Sequence, residues 1–277
     1  MSLNPGQATN YSIEQNIALI LQNSVQADEI VWLESDNLIK TIALHKKAEG
    51  IDTLGAAIIL ADLNNHPDWP HTIKPLRTKL PAFGWETLSI QMPIKRENIL
   101  GPELDEIYNL AEARLKAAIN FLKSKDINNI VIIGHRFSAG IAIKFIADNQ
   151  QDIEGIEALI GISSFDTPWI NSSLLLRELP IAYLDIFAQH DDVAVLKAAP
   201  KRLVSAKFAG QKIAKKSTTS LSAKVTELAK NKTGNVHYRQ MQVNGATSHF
   251  STHQDVLLKT IRGWLKSHEK KQDELQK

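Results

Sequence analysis

The sequence predicts an α/β fold in which a mostly parallel sheet is flanked by helices on both faces. Runs composed entirely of apolar residues, such as residues 56–60 and 130–133, are typical of strands buried on both faces. Longer amphipathic segments such as residues 104–123 alternate with these runs, as helices do in a parallel sheet. The 277 residues contain no internal repeat and no Gly/Ser-rich linker, so we expect one sheet in one domain.

The individual elements follow from local patterns along the chain. An N-terminal helix over residues 12–27, with Ser12 as its N-cap, precedes two short strands over residues 29–34 and 38–45. A turn at residues 35–37 joins these strands into an antiparallel hairpin at one edge of the sheet. Buried strands and helices then alternate, and they are predicted over residues 56–60, 70–80, 87–90, 104–123, 130–133, 139–149, 158–162, 182–187, 238–243 and 251–269. The predicted organisation is an N-terminal extension with a helix over residues 1–28 and one domain over residues 29–277.

Composition excludes several classes of protein. The chain has no cysteine, which rules out disulfides and Cys-ligated metal sites. A formal net charge of +2, from 32 basic and 30 acidic residues, gives no reason to expect a nucleic-acid partner. No stretch approaches the roughly 18 consecutive apolar residues of a transmembrane segment.

In parallel sheets the functional crevice lies beyond the carboxyl ends of the strands. Function is therefore expected in the segments that directly follow the predicted strands. These segments are residues 62–69, 134–138, 163–169, 188–193 and 244–250.

Residues 131–140, Val-Ile-Ile-Gly-His-Arg-Phe-Ser-Ala-Gly, resemble the nucleophile elbow of α/β-hydrolases, in which a strand, Gly-x-Ser-x-Gly and a helix follow one another. The elbow needs small residues two positions before and after its tip, and Gly134 and Ser138 meet that need. Arg136 then occupies the tip, where a protonated guanidinium cannot attack a carbonyl group. In the alternative frame Ser138 is the nucleophile, with Gly140 two positions later and the bulky Arg136 in the tight position.

The same resemblance implies the other two members of a catalytic triad. Asp191, in the segment Ala188-Gln189-His190-Asp191-Asp192 after a strand, matches the acid. His249, in the loop after the last strand, matches the histidine. With Ser138 they would form an ester or amide hydrolase; otherwise both residues are an inherited pair without a catalytic use.

Two interpretations of Arg136 remain open. At the N-terminus of a helix, its guanidinium would bind a phosphate or carboxylate ligand. Alternatively, Arg136 pairs with Asp191, neutralises that carboxylate and occupies a site that is no longer catalytic.

The loop after residues 56–60 lies where α/β-hydrolases keep one N–H of the oxyanion hole. The resemblance implies a hole formed by the N–H of Leu63 or Asn64 together with that of Phe137. We therefore expect Phe137, Asn64 and His66, with Arg136, to contact a ligand.

Two further groups of polar residues have competing interpretations. His66, Asp68 and His71 offer metal-ligating side chains, but their spacing matches no metal signature, and we expect neither a metal nor another cofactor. The segment from Ser163 and Ser164 through Asp166 to Trp169 either lines a substrate pocket or shapes a turn over the sheet edge.

The chain also resembles, more narrowly, an uncharacterised bacterial α/β-hydrolase-like family. The matching segments are His66-Pro67-Asp68-Trp69-Pro70, Pro75-Leu76-Arg77, Gly84-Trp85-Glu86-Thr87-Leu88, Gln91-Met92-Pro93, Tyr238-Arg239-Gln240 and Arg262-Gly263-Trp264-Leu265. The resemblance implies that the serine is commonly missing from the elbow and that no reaction is assigned. It also implies an exported, periplasmic chain whose leader has been removed; a cytoplasmic location is the alternative if Met1 is the natural start.

Residues 197–232 are strongly basic, with ten Lys or Arg residues against Glu227 alone. Such a stretch fits contact with an anionic surface or an acidic partner. The alternative is a solvated helix face whose apolar residues pack inward.

Taken together, these patterns predict an α/β-hydrolase-fold protein that is degenerate at the nucleophile and binds a small acyl or anionic ligand. An ester or amide hydrolase using Ser138, Asp191 and His249 is the first alternative. A non-catalytic, envelope-associated interaction protein is the second.

Overall fold

A computed structural model of the chain describes residues 9–35, 40–50, 53–97, 101–207 and 238–275. Residues 208–232 of the predicted basic segment, and most of the predicted hairpin turn, lie outside the described residues.

The described elements follow the predicted order, but two helices that lie between the last three strands, Ser172–Leu175 and Val193–Lys207, were not predicted. The strands are β1 (Ile30–Glu34), β2 (Lys40–Lys46), β3 (Gly55–Leu60), β4 (Trp85–Ile90), β5 (Ile130–His135), β6 (Ile156–Ile162), β7 (Ala182–His190) and β8 (Tyr238–Thr247). The helices are α1 (Tyr11–Ser24), α2 (Ile73–Lys79), α3 (Pro102–Lys123), α4 (Phe137–Asp148), α5 (Ser172–Leu175), α6 (Val193–Lys207) and α7 (Gln254–Leu275).

The eight strands form one sheet in the order β1-β2-β4-β3-β5-β6-β7-β8. β1 and β2 pair antiparallel at one edge, and β2 pairs antiparallel with β4. Every other neighbouring pair is parallel. The predicted fold, a mostly parallel sheet with helices on both faces and an antiparallel edge hairpin, is confirmed.

The central strands β3 and β5 lie in the middle of the sheet, which explains why their sequences are almost entirely apolar. All residues of β3 and β5 are buried, because helices cover both faces of the sheet. Ile132 belongs to the core shared with α3 and α4, and its neighbour Ile133 belongs to the core shared with α2 and α7. No helix in the described part of the chain is long and apolar enough to cross a bilayer.

Helix α1 packs against the face of the edge hairpin, where Ala18 and Leu21 contact Ile42 and Leu44. The predicted N-cap, Ser12, is wrong. Asn10 caps the helix, because its side chain accepts the N–H of Ile13.

Candidate active site

The turn between β5 and α4 is a strand–turn–helix elbow with Arg136 at its tip. Arg136 has φ 55° and ψ −118°, a conformation that non-glycine residues rarely adopt. A Cβ atom at Gly134 would lie 2.6 Å from the Cα of Ala139, so strand and helix approach too closely for any other residue. The predicted register, with a guanidinium rather than a hydroxyl at the tip, is the observed one.

Arg136 pairs with two carboxylates. Its Nε lies 3.1 Å from Oδ2 of Asp62 and its Nη2 lies 2.7 Å from Oδ2 of Asp192. Ion pairing at the tip was one of the two open interpretations, but the predicted partner, Asp191, is wrong. Burial lowers the pKa of Arg136, and the two carboxylates outweigh burial so that the pKa is raised and the charge is retained.

Asp62 accepts backbone N–H groups from the loop after β3 and from the start of α4. Its Oδ1 accepts the backbone N–H of Leu63 at 3.0 Å and that of Phe137 at 3.1 Å, two of the N–H groups predicted for an oxyanion hole. Its Oδ2 accepts from Arg136. Burial raises the pKa of the Asp62 carboxyl, and the charge of Arg136 and the two N–H groups only partly oppose that rise.

Ser138 lies in the interior, one position into α4. Its side chain is fully buried, and its hydroxyl donates to the carbonyl oxygen of Ala61 at 2.5 Å. This contact ties the start of α4 to the end of β3, and it matches the small structural residue that the elbow requires at this position.

The Asp191 carboxylate accepts hydrogen bonds from residues near it in the sequence and from Ser163. Its Oδ2 accepts from the Ser163 hydroxyl at 2.5 Å and from the N–H of Ala188 at 3.0 Å, and its Oδ1 accepts the N–H of Asp192 at 3.0 Å. Ser163 itself adopts a φ of 53° while its side chain is buried. This loop fixes Asp192 beside Arg136.

His249 is exposed, and its carbonyl oxygen accepts from Thr72 Oγ1 at 3.0 Å. Among the described residues, no hydrogen bond joins the His249 imidazole to Asp191. The structure therefore brings Arg136, Phe137, Leu63 and Asp62 together, and it does not assemble the predicted acid–histidine pair.

A second histidine lies directly before the tip. His135 is fully buried, and its Nε2 lies 3.3 Å from the carbonyl oxygen of Ser248. Burial lowers the pKa of His135 to about 3, and the charge of Arg136 adds to the effect. The imidazole is thus neutral at ordinary pH, with its Nε2 as the donor, and no described residue offers a hydrogen bond to its Nδ1.

In the loop after β3, the polar side chains of His66 and Asp68 already bind other groups of the protein. Asn64 is exposed with a φ of 71°. His66 is half-buried, its Nδ1 accepts the N–H of Asp68 at 3.2 Å, and burial lowers its pKa. Asp68 pairs with Arg77 at 2.7 Å and with Lys74 at 3.0 Å. No group of three or more His, Asp or Glu side chains in the described ranges is placed to hold a metal ion.

An aromatic wall adjoins the elbow. Phe137 stacks on Trp169 with ring centroids 5.9 Å apart and meets Phe165 edge-on at 6.3 Å. The Arg136 guanidinium lies over the Phe165 ring at 5.7 Å. Asp166 instead accepts from the backbone and hydroxyl of Ser173, where it anchors α5. Ser164 is buried beneath this region.

Comparison with known proteins agrees with the fold. The sheet, the crossovers and the elbow define an α/β-hydrolase-fold protein. The chain matches the family described as "Protein of unknown function (DUF3530)" over residues 4–106 and 102–212, and it belongs to that family. The comparison with curated proteins finds no match.

Several solved structures share the fold at low sequence identity. Est1E from Butyrivibrio proteoclasticus is 13% identical, with a TM-score of 0.63 over 87% of this chain and 98% of that chain. Dienelactone hydrolase from Anabaena variabilis is 14% identical, with a TM-score of 0.58 over 86% of this chain and 98% of that chain. A putative α/β hydrolase from Agrobacterium tumefaciens is 17% identical, with a TM-score of 0.54 over 86% and 94% of the two chains.

The two residues that pair with Arg136 were not singled out from the sequence. Asp62 directly follows the all-apolar strand β3, and an acid at that position was a usable signal. Asp192 directly follows Asp191, and the sequence does not indicate which of these two acids pairs with Arg136.

Proposed function

We propose that this protein is a non-hydrolytic member of the α/β-hydrolase fold whose elbow site binds the carboxylate group of a small acyl ligand. One observation carries the proposal: two backbone N–H groups and the Arg136 guanidinium together hold the Asp62 carboxylate. Donors that hold one carboxylate in this geometry will also hold another of the same shape. Asp62 is then a resident competitor for the ligand.

The arrangement of hydroxyl groups argues against a serine hydrolase. A serine nucleophile stands exposed at the elbow tip, within reach of a histidine base. In this chain Arg136 stands at the tip, and the Ser138 hydroxyl is committed to a buried carbonyl oxygen.

Charge determines how the ligand enters. Asp62 and Asp192 already share one guanidinium, so a third carboxylate would meet net negative charge. The ligand must therefore displace Asp62 or enter after Asp62 has taken a proton. Because burial raises the pKa of Asp62, the protonated route opens at a higher pH than it would for an ordinary aspartate.

The aromatic wall supplies the apolar part of the site. Phe137, Phe165 and Trp169 are each partly exposed and lie beside the guanidinium. Apolar rings next to a carboxylate receptor suit a ligand with an acyl chain or a flat ring attached to its carboxylate.

Two measurements test the proposal. A fluorophosphonate probe should label neither the wild-type protein nor Ser138→Ala, because no serine in the described part of the chain is placed as an activated nucleophile. Titration calorimetry with short acyl carboxylates should show binding that Asp62→Ala strengthens by about tenfold, the effect of losing one competing charge-assisted contact.

Asp192→Ala is the matched control, because it removes an equal charge from Arg136 and leaves Asp62 on the two N–H groups. It should change affinity less than Asp62→Ala does. Labelling of the wild type that Ser138→Ala abolishes would instead establish the ester or amide hydrolase. Affinities left unchanged by both Asp62→Ala and Arg136→Met would remove the elbow from the binding site.

A further inference from the structure

Helix α6 exposes apolar side chains along its outer face. Val193 is 65% exposed, Val204 50%, Leu203 41% and Leu196 37%, and Pro200 is exposed between them. At helical spacing these five residues form one continuous band, which we call the α6 stripe. A surface helix ordinarily turns its large apolar residues inward, and here three of the six buried positions of α6 are alanines and only Val195 is a larger apolar residue.

Lysines lie along one side and at the end of the stripe. Lys197, Lys201 and Lys207 are all exposed, and α6 contains no acidic residue. Arg202, counted with the basic segment, is instead fully buried, with its Nε 2.9 Å from Oδ2 of Asp185. The outer face of α6 therefore combines an apolar band with lysines and carries no acid of its own.

We propose that the α6 stripe rests on an anionic phospholipid surface. A helix with one apolar face flanked by lysines lies in the plane of a membrane interface, where its apolar side chains enter the acyl boundary and its ammonium groups meet the phosphates. The partner chemistry is thus a negatively charged headgroup above an apolar layer.

A second copy of the chain fits the stripe less well. Two-fold pairing of identical α6 faces would bring Lys197 and Lys201 of both copies together without an acid from α6 to neutralise them. A lipid surface matches both features of the helix, whereas a copy of the same face matches only the apolar one.

The position of α6 adds a link to the elbow. Its first residue, Val193, directly follows Asp192, which pairs with Arg136 at the tip. Helix α5 packs against α6 and adds Leu174, which is 45% exposed. A membrane contact through α6 would therefore bring lipid close to the mouth of the elbow site, although the contact itself does not depend on that site binding a ligand.

Vesicle flotation with the full chain tests the proposal. We expect the protein to float with vesicles of phosphatidylcholine mixed with phosphatidylglycerol and to remain unbound with phosphatidylcholine alone, with binding that weakens as salt rises. Val193→Ser combined with Val204→Ser should abolish flotation. Lys197→Gln combined with Lys201→Gln should weaken it by about fivefold for each lysine at low salt.

Helix α7 provides matched controls. Val256→Ser removes an apolar side chain that is 46% exposed, and Lys259→Gln with Lys266→Gln removes the same charge from exposed positions. These variants should bind like the wild type. No flotation at low salt, or equal losses in the α6 and α7 variants, would overturn the proposal. Self-association without flotation, lost in the Val193→Ser and Val204→Ser protein, would assign the stripe to a second copy.

Discussion

The Oδ1 atom of Asp62 accepts the backbone N–H of Phe137 at 3.1 Å, across 75 residues of sequence. The same oxygen accepts the N–H of Leu63, and Oδ2 accepts from Arg136. In α/β-hydrolases, the N–H after the nucleophile and one from the loop after the neighbouring strand stabilise the oxyanion of the transition state. Here the Asp62 carboxylate accepts the N–H groups of Leu63 and Phe137, and Arg136 at the elbow tip supplies its counter-charge.

This arrangement predicts a pH-dependent affinity for carboxylates. Burial raises the pKa of the Asp62 carboxyl, so as pH falls below neutral Asp62 takes up a proton at a higher pH than an ordinary aspartate does, and its N–H and guanidinium donors become free to bind another carboxylate. The affinity for a 2-oxo acid, which stays ionised over this range, should rise as pH falls. Calorimetry at several pH values measures the slope, and Asp62→Ala should remove it. A slope that survives in Asp62→Ala would assign the titration to another group.

Much of the fold was predictable because its signals are local. The all-apolar strands β3 and β5 follow from burial on both faces, and Gly134 follows from the tight contact between strand and helix. The elbow register was predictable for the same reason, since only small residues fit two positions on either side of Arg136. Such constraints act within a few residues and leave a direct pattern in the sequence.

The contacts within the site were not predictable in the same way. The choice of Asp192 over Asp191 as the partner of Arg136 depends on the Ser163 hydroxyl, which holds Asp191 from a different strand end. The position of Asp62 depends on N–H groups from two separate loops. Contacts of this kind are set by how β3, β5, β6 and β7 align, and a single sequence does not encode that alignment as a pattern.

Gly134 and Gly263 provide a paired test of the elbow. Gly134→Ala would place a Cβ 2.6 Å from the Cα and 2.8 Å from the N of Ala139, both backbone atoms that cannot move freely. We expect a loss of about 1–3 kcal/mol in the free energy of unfolding. Gly263→Ala in α7 meets nothing within 4 Å and should stabilise the protein by up to about 1 kcal/mol. Urea unfolding of both variants checks this, and a neutral Gly134→Ala would contradict the close approach.

Removing one partner of the buried ion pair between Asp185 and Arg202 should destabilise the protein more than removing both charges together. Both side chains are fully buried, and Asp185 also accepts from Tyr238 at 2.8 Å and from Gln240 at 2.7 Å. Arg202→Met leaves the carboxylate without its counter-charge and should cost about 3–5 kcal/mol of stability.

The double variant Asp185→Asn with Arg202→Met should recover part of that loss, because no buried charge remains. Lys201→Met, an exposed neighbour on the same helix, should change stability by less than about 0.5 kcal/mol. Chemical denaturation of the wild type, the single variants Asp185→Asn and Arg202→Met, and the double variant gives the coupling energy. A double variant as unstable as the sum of its two single variants would mean that the two charges do not depend on each other.

His135 should make the fold sensitive to acid. Its pKa falls from 6.5 in the unfolded chain to about 3 in the folded protein, so below pH 6.5 the unfolded chain binds a proton that the buried imidazole does not. The free energy of unfolding should therefore decrease by about 1.4 kcal/mol for each pH unit that the pH falls between these two values, from this residue alone.

The control variant His135→Gln retains an N–H for the carbonyl oxygen of Ser248 and cannot be protonated, so its stability should fall less steeply over the same range. Urea titrations of both proteins from pH 8 to pH 4 measure the difference, with the offset at pH 8 giving the packing cost of the substitution. Because other titrating groups contribute equally to the two curves, parallel curves would mean that His135 is not buried as a neutral imidazole.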